Sequence, residues 1–176
     1  MIKKKISFSW DIIYKCNYRC PYCWWHDKWS FLSMENRFFS VKELIQAWAR
    51  IYNMYGQSHI DILGGEPFLY PNFVEFISEV STMHTVNINT NLSCAVDGLV
   101  EKCNPSRVKV IPTFHPVFAR MDDFLDKAEE FVEQAKDIGC ELVLPVDTVI
   151  AKECKVGVES RVVSGDIEPD WEGLDI

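Results

Sequence analysis

Residues 16 to 23 read Cys-Asn-Tyr-Arg-Cys-Pro-Tyr-Cys and place three thiols within a stretch of eight residues. Immediately before them, Ile6 to Ile13 is rich in strand-forming side chains, which predicts a first strand that ends at the cysteines. The pattern predicts a loop from there to about Phe39. Thiolates are soft ligands that suit zinc or iron-sulfur clusters, so we expect a metal group at the tip of the first strand.

Beyond this loop the apolar pattern alternates between helices and strands. A helix is predicted to begin at Ser40, which can form a capping box with Glu43, and to end at Gly56. The elements predicted after it are strand His59 to Leu63, helix Phe73 to Met83 capped by Asn72 with Glu75, strand Thr85 to Asn89, a short helix Val96 to Cys103, strand Val108 to Thr113, a helix with an apolar stripe from Phe124 to Ile138 that ends at Gly139, and strand Glu141 to Val149. This order predicts an α/β fold with a parallel sheet, whose strands all end at one ligand-binding edge.

The length of 176 residues and a hydrophobic fraction of 48% suit one globular domain, which we place at residues 1–150. After Ile150 the pattern weakens. We expect residues 151–176 to form an irregular or degenerate tail, with at most one weak strand near Val156 to Val163.

The net charge of -8 argues against nucleic acid or an anionic membrane as the main partner, because either would repel such a surface. Asp11 interrupts the apolar run that follows Lys3 to Lys5 before it reaches the length of an export signal, and no other stretch is long enough to span a bilayer. Seven cysteines, three of them within eight residues, favour metal or redox chemistry in a reducing compartment over a disulfide framework. We expect a cytoplasmic protein.

The cysteine stretch alone is compatible with several kinds of site. His26 follows Cys23 by three residues, so a tetrahedral zinc site with three cysteines and one histidine is conceivable, although its ligands would crowd one short loop. Cys20-Pro21-Tyr22-Cys23 is also the active-site sequence of glutaredoxins, which would make the chain a dithiol oxidoreductase but leaves Cys16 unexplained. Burial as three small apolar residues fits poorly with polar neighbours such as Asn17 and Arg19.

A second motif, a glycine-rich turn, helps to choose among the possible kinds of site at the cysteines. The second predicted strand ends in Gly64-Gly65-Glu66-Pro67, where glycines allow a tight turn and close approach to a ligand. Together with the Cys-x-x-x-Cys-x-x-Cys spacing and the aromatic Tyr22 before the third cysteine, this resembles the radical S-adenosylmethionine (radical SAM) enzymes. The resemblance covers about residues 6 to 150 and implies the family's partial (β/α) barrel, here with an incomplete last unit.

The resemblance implies that Cys16, Cys20 and Cys23 bind a 4Fe-4S cluster and leave one iron open to the amino and carboxylate groups of S-adenosylmethionine. A reduced cluster then cleaves this cofactor to methionine and a 5'-deoxyadenosyl radical, which abstracts hydrogen from a substrate. The implied partners are a small-molecule or peptide substrate and an electron donor such as flavodoxin or ferredoxin. A truncated, non-catalytic cluster-binding partner protein is an alternative, because the tail is short for a complete last unit.

The same resemblance assigns further contacts to the cofactor. It places the Gly64-Gly65-Glu66-Pro67 segment at the methionine amino group, with the Glu66 carboxylate facing an ammonium, and the Tyr22 backbone beside adenine. The ribose or methionine carboxylate contacts fall to polar residues at the ends of the third and fourth strands, namely Asn89, Asn91, Thr113 and His115. Leu144 and Val146 are candidates for the adenine wall, and Asp147 for the pocket or solvent.

Two other groups of residues are assigned from the pattern. Aromatic packing over the cluster is expected from Trp24, Trp25, Trp29, Phe31, Phe38 and Phe39. A single cluster is expected because the other cysteines, Cys94, Cys103, Cys140 and Cys154, are scattered, and Cys103 and Cys140 suit core positions.

Overall fold

The computed structural model describes residues 6–96, 98–137, 144–149 and 158–163; side chains are described except at Asp27, Trp29 and from residue 135 onwards. Within these ranges one sheet of six strands has the order in which the strands occur along the chain. The strands are β1 (Ser7–Ile13), β2 (His59–Gly64), β3 (Thr85–Thr90), β4 (Val108–Phe114), β5 (Leu144–Val149) and β6 (Val158–Val163). Neighbours from β1 to β5 are parallel, which confirms the predicted α/β architecture with a parallel sheet.

The helices lie between the strands as the alternation predicted. They are α1 (Trp29–Met34), α2 (Val41–Tyr55), α3 (Phe73–Val80), α4 (Leu99–Lys102) and α5 (Met121–Asp137). The described sheet is open, and its last strand, β6, pairs antiparallel with β5. The parallel repeat therefore stops at β5, in agreement with the predicted partial barrel, and the predicted weak strand is present as β6.

Helix α2 begins and ends at the predicted residues for the predicted reasons. The Ser40 hydroxyl accepts a hydrogen bond from the Glu43 N–H at 3.3 Å, while the Ser40 N–H donates to the Glu43 carboxylate at 2.8 Å. Gly56 ends the helix with a φ of 76°, a conformation that glycine adopts without a Cβ penalty.

Helix α3 begins at the predicted Asn72 but without the predicted cap. Asn72 has a φ of 55° and its side chain makes no capping hydrogen bond, so the expected pairing with Glu75 is wrong. A capping side chain reaches the first N–H groups from extended backbone, and Asn72 is left-handed instead. The helix also ends at Val80 rather than Met83, because the Met83 N–H bonds the Val80 carbonyl three residues back, a tighter turn than an α-helix.

Two predicted boundaries in the connections also change. The predicted loop to Phe39 contains a 3-10 turn at His26–Lys28 followed directly by α1. The predicted short helix from Val96 to Cys103 is limited to the four residues of α4, because Gly98 before it has a φ of 75°. Short helices lack the periodicity that identifies longer ones.

The hydrophobic core lies between the sheet and the helices on one face. Ile60 and Ile62 of β2, together with Phe76 and Ile77 of α3, have no exposed surface. Alternate strand residues point to the opposite face, where His59 and Asp61 are half-buried. One face of the sheet thus forms the apolar core with the helices, and the other face carries polar side chains. No described helix is both long enough and apolar enough to cross a bilayer.

Candidate functional site

The carboxyl ends of β1 to β4 surround a cavity of about 490 Å³. It is lined by residues from the loop after β1, the end of β2 and the segments that close β3 and β4. The predicted site residues that line it are Cys16, Cys20, Tyr22, Cys23, Gly64, Gly65, Asn89, Asn91, Thr113 and His115. Glu66 and Pro67 are buried but do not line the cavity.

Two of the three cysteine sulfurs receive a hydrogen bond from the same kind of backbone donor. The Tyr18 N–H lies 3.4 Å from the sulfur of Cys16, and the Trp25 N–H lies 3.5 Å from that of Cys23. Each of these donors is the backbone group two residues after the cysteine. Such N–H groups favour the thiolate form that binds a metal.

Burial opposes ionisation of the Cys16 and Cys20 thiols in the absence of a metal. It raises the pKa of Cys16 to about 11, an effect that the carboxylate of Glu66 and the two other thiols increase. Burial also raises the pKa of Cys20, of which only 5% is exposed. Positive charge from bound iron would offset this cost, so the environment suits a metal-bound thiolate better than a free one.

Among the described residues, the three thiols line one cavity but do not form a site for a single metal ion. The described residues contain no group of three or more His, Cys, Asp or Glu side chains that could hold one metal ion. The ring nitrogen Nδ1 of His26 lies 3.2 Å from the Cys20 carbonyl oxygen, so the structure does not form the three-cysteine, one-histidine zinc site considered from the sequence. Three thiols around one cavity fit a cluster, in which each sulfur binds a different iron.

The glycine turn after β2 is shaped by the backbone of the cysteine loop. Gly64 has a φ of +130°, and a Cβ there would collide with the Ile13 carbonyl oxygen. At Gly65 a Cβ would collide with the Lys15 carbonyl oxygen. The Gly65 N–H donates to the Ile13 carbonyl at 2.6 Å, so the two segments stay paired beyond the end of β1. The glycines are needed for this contact, which brings the turn alongside the cysteines.

The Glu66 carboxylate lies beneath the turn and accepts three hydrogen bonds from the protein. Its Oε1 accepts hydrogen bonds from the Phe68 N–H at 3.1 Å and the Thr90 hydroxyl at 2.8 Å. Its Oε2 accepts from the Asn91 N–H at 2.8 Å. Burial raises the pKa of Glu66, while these three bonds act in the opposite direction. Glu66 therefore joins the end of β2 to the end of β3.

Asn91 links this buried carboxylate to the cysteine loop. Its Nδ2 donates to the Asn17 side-chain oxygen at 3.0 Å and lies 3.8 Å from the Cys16 sulfur. Asn91 is 6% exposed, whereas Asn89 is half-buried and donates to the Ile62 carbonyl oxygen at 3.4 Å. The two asparagines thus differ: Asn91 organises the loop, and Asn89 presents a side chain at the cavity.

A comparison of the sequence with protein-family models identifies the family. The sequence model of the Radical SAM superfamily matches residues 10–149, which is most of the chain. The chain belongs to the radical SAM superfamily. Its fold resembles a solved radical SAM structure, BtrN in complex with AdoMet and 2-DOIA, with a TM-score of 0.56 and 18% identity over 83% of this chain and 58% of BtrN.

The chain also has a local similarity to phosphoglycerate kinases. It is 47% identical over 57 residues to the enzyme of Thermosipho africanus, covering 31% of this chain and 14% of that kinase. It is 57% identical over 44 residues to the enzyme of Xanthobacter autotrophicus, covering 25% of this chain and 11% of that kinase. The chain spans about a seventh of these relatives or less, so the similarity concerns a segment and not a whole kinase.

Further residues of this radical SAM chain line the cavity although the sequence did not single them out for the site. They are Asp11, Tyr18, Leu63 and Thr90. Asp11 carried a usable signal, because it is an acid within an apolar strand, and burial raises the pKa of its carboxyl. Tyr18 carried none, because aromatic residues in loops serve many purposes.

The expected aromatic packing at the cysteines is confirmed for part of the stretch: Trp24 and Trp25 line the same cavity as the three cysteines, whereas Phe31, Phe38 and Phe39 do not. Trp24 is 85% exposed, and Phe31, Phe38 and Phe39 are each at least 50% exposed. Trp25 is half-buried, with its ring edge-on to Tyr14 at 5.7 Å, and the side chain of Trp29 is outside the described part. Phe31 lies on helix α1, which is too short to bury a continuous face.

The remaining predictions concern the other cysteines and three residues of β5. Cys103 is buried in the core, as expected, and Cys94 is half-buried in the loop after β3. Leu144, Val146 and Asp147 lie on β5, but their side chains are outside the described part, as are Cys140 and Cys154.

Proposed function

We propose that this chain binds a 4Fe-4S cluster through Cys16, Cys20 and Cys23 and uses it to cleave S-adenosylmethionine reductively. The observation that carries the proposal is the convergence of these three thiols with Gly64 and Gly65 at one cavity of a radical SAM chain. When bound, the reduced cluster supplies one electron to the sulfonium, giving methionine and a 5'-deoxyadenosyl radical for hydrogen abstraction from a small-molecule or peptide substrate.

The chain's own residues hold and orient the two groups. Backbone N–H groups fix the sulfurs of Cys16 and Cys23. The Gly64-Gly65 backbone is the proposed contact for the methionine amino group, because it lies at the cavity while the Glu66 carboxylate is occupied below it. Glu66 then serves the site by fixing the turn.

The remaining polar lining supplies the proposed contacts to the nucleoside and the carboxylate. Asn89, Thr113 and His115 stand at the ends of neighbouring strands. Tyr22 lines the same cavity on the side of the cysteine loop and is proposed to lie beside adenine. The proposed one-electron donor, flavodoxin or ferredoxin by analogy, acts from outside the cavity.

The dithiol alternative has weaker structural support. Cys20 is almost completely buried, and burial raises its pKa. Thiol-disulfide exchange requires an accessible thiol with a lowered pKa. The structure favours metal binding by these residues over glutaredoxin-like chemistry.

The test is anaerobic reconstitution with iron and sulfide, followed by dithionite and S-adenosylmethionine. We expect a brown protein that forms 5'-deoxyadenosine, the same product from Cys94→Ala, and none from Cys20→Ala. A colourless wild-type protein after reconstitution would refute the proposal. A loaded cluster with no S-adenosylmethionine binding by calorimetry would instead support a non-catalytic partner protein.

A further inference from the structure

The middle cysteine of the motif differs from the other two in the source of its hydrogen bond. Cys16 and Cys23 each receive the backbone N–H of the second residue after them. At the Cys20 sulfur a contact comes from a side chain of a distant segment: Nδ1 of His115 lies 3.6 Å from it. Residue 115 follows β4, far from the cysteine loop in sequence.

His115 is held in place by aromatic neighbours from the cysteine loop. Its ring stacks on Tyr22 with centroids 6.0 Å apart and an interplanar angle of 6°. Tyr18 meets it edge-on at 5.9 Å. The Tyr22 hydroxyl lies 3.3 Å from the same Nδ1 and also hydrogen-bonds the Cys20 thiol. The ring is therefore held by two tyrosines, and Nδ1 lies within reach of both the Tyr22 hydroxyl and the Cys20 sulfur.

The direction of this bond follows from the state of the sulfur. A free thiol carries a proton and can donate to a bare Nδ1. A metal-bound thiolate carries none, so the contact persists only if Nδ1 carries the proton and donates it. With a cluster bound by Cys20, this contact is a hydrogen bond only when Nδ1 of His115 carries a proton.

We propose that His115 is a positioning residue that donates its Nδ1–H to the cluster-bound sulfur of Cys20 and raises the reduction potential of the cluster. This inference rests on the proposed function, because it requires that Cys20 bind the cluster. Hydrogen bonds to cluster sulfurs stabilise the more negative, reduced state. Loss of the donor therefore makes reduction harder.

The decisive experiment is an EPR-monitored redox titration of the reconstituted protein and its variants. We expect a more negative potential in His115→Phe and a smaller shift of the same sign in Tyr22→Phe. His59→Phe is the matched control, because His59 lies on β2, where its ring nitrogens contact Asp61 and Thr85, and should leave the potential unchanged. Equal potentials in His115→Phe and wild type would overturn the inference while leaving the cluster assignment intact.

A second measurement needs only the wild-type protein. Pulsed EPR of the reduced protein with isotope-labelled histidine should show a coupling to a ring nitrogen. Absence of that coupling in a protein with a full cluster would also overturn the inference. A wild-type protein that binds no iron would instead refute the proposed function, so the two failures are distinguishable.

Discussion

Two fully buried titratable side chains, Glu66 and His84, lie at opposite edges of the same sheet and have different consequences. Glu66 follows β2 at the carboxyl edge, where its hydrogen bonds support the cavity. His84 precedes β3 at the amino edge, where its Nδ1 accepts the Ser58 N–H at 3.1 Å and its Nε2 donates to the Trp48 carbonyl oxygen at 3.2 Å. Both are satisfied polar groups in an apolar setting.

The difference lies in what each group joins. His84 packs against Trp48 and Tyr52 and ties α2 to the sheet within the core. Glu66 connects the ends of two strands. The side chain of Asn91, whose N–H bonds Glu66, contacts Asn17 and Cys16 in the cysteine loop. The comparison indicates that the amino edge is built for stability and the carboxyl edge for chemistry, as is usual in parallel α/β folds.

The largest expected effect is the loss of iron on removal of a cysteine at the carboxyl edge. Cys16→Ala, Cys20→Ala and Cys23→Ala should each abolish most iron binding while the fold persists, because the thiols are the proposed cluster ligands and none of them belongs to the hydrophobic core. Cys94→Ala is the control and should retain iron, since Cys94 does not line the main cavity. Iron and sulfide analysis after reconstitution checks this. Full iron content in all three variants would contradict the assignment.

The next effect comes from the backbone that carries the turn. Gly64→Ala should destabilise the fold by about 3 kcal/mol or more, because it combines positive φ with a collision against the Ile13 carbonyl. Gly56 also has a positive φ, +76°, but a Cβ at this position would have no atom within 4 Å. Gly56→Ala should cost only about 1–2 kcal/mol. Urea denaturation measures the loss of unfolding free energy in both variants. Equal losses would show that the contact between residue 64 and the Ile13 carbonyl oxygen does not destabilise Gly64→Ala.

Glu66 provides a third, somewhat smaller effect. Glu66→Ala leaves the donors from Phe68, Thr90 and Asn91 without their acceptor, which should cost about 2–3 kcal/mol. Glu66→Gln keeps an oxygen for two of them and should cost roughly half as much. Glu79→Ala, on the exposed face of α3, is the matched control. Urea denaturation of the three variants checks this order, and a stable Glu66→Ala would show that the buried carboxylate is not a structural link.

The smallest effect is the pH dependence at the amino edge. Burial lowers the pKa of His84 below its ordinary value of 6.5. The folded state therefore binds fewer protons than the unfolded state, so stability is complete above that value and falls as pH decreases, by at most about 1.4 kcal/mol per pH unit. As the pH decreases below 6.5, the urea midpoint of the wild type should fall, and that of His84→Gln should fall less. Some slope should remain, because burial also lowers the pKa of His115.

Much of the architecture could be predicted because it depends on local pattern. The limits of α2 follow from Ser40, Glu43 and Gly56, whose capping chemistry is encoded within a few residues. The convergence of the cysteines with Gly64 and Gly65 followed from the shared edge of a parallel sheet.

The features that sequence reasoning missed depend on contacts between distant segments. The inward direction of the Glu66 carboxylate is set by donors on β3 and just after it, which sequence spacing does not reveal. The same holds for the contact of His115 with Cys20. The exposure of Trp24 and Phe31 was missed because aromatic residues are usually buried, and a short surface helix gives no periodic warning. The boundary between residues 1–150 and a tail stays a prediction.

The central claim is that three thiolates hold a cluster with one iron open to a cofactor, and Mössbauer spectroscopy of anaerobically reconstituted, isotopically enriched protein tests it most directly. We expect the spectrum of a 4Fe-4S cluster in which S-adenosylmethionine alters one iron site and leaves the others unchanged. Zinc in place of iron, a disulfide between Cys20 and Cys23, or a cluster whose spectrum is indifferent to S-adenosylmethionine would contradict it.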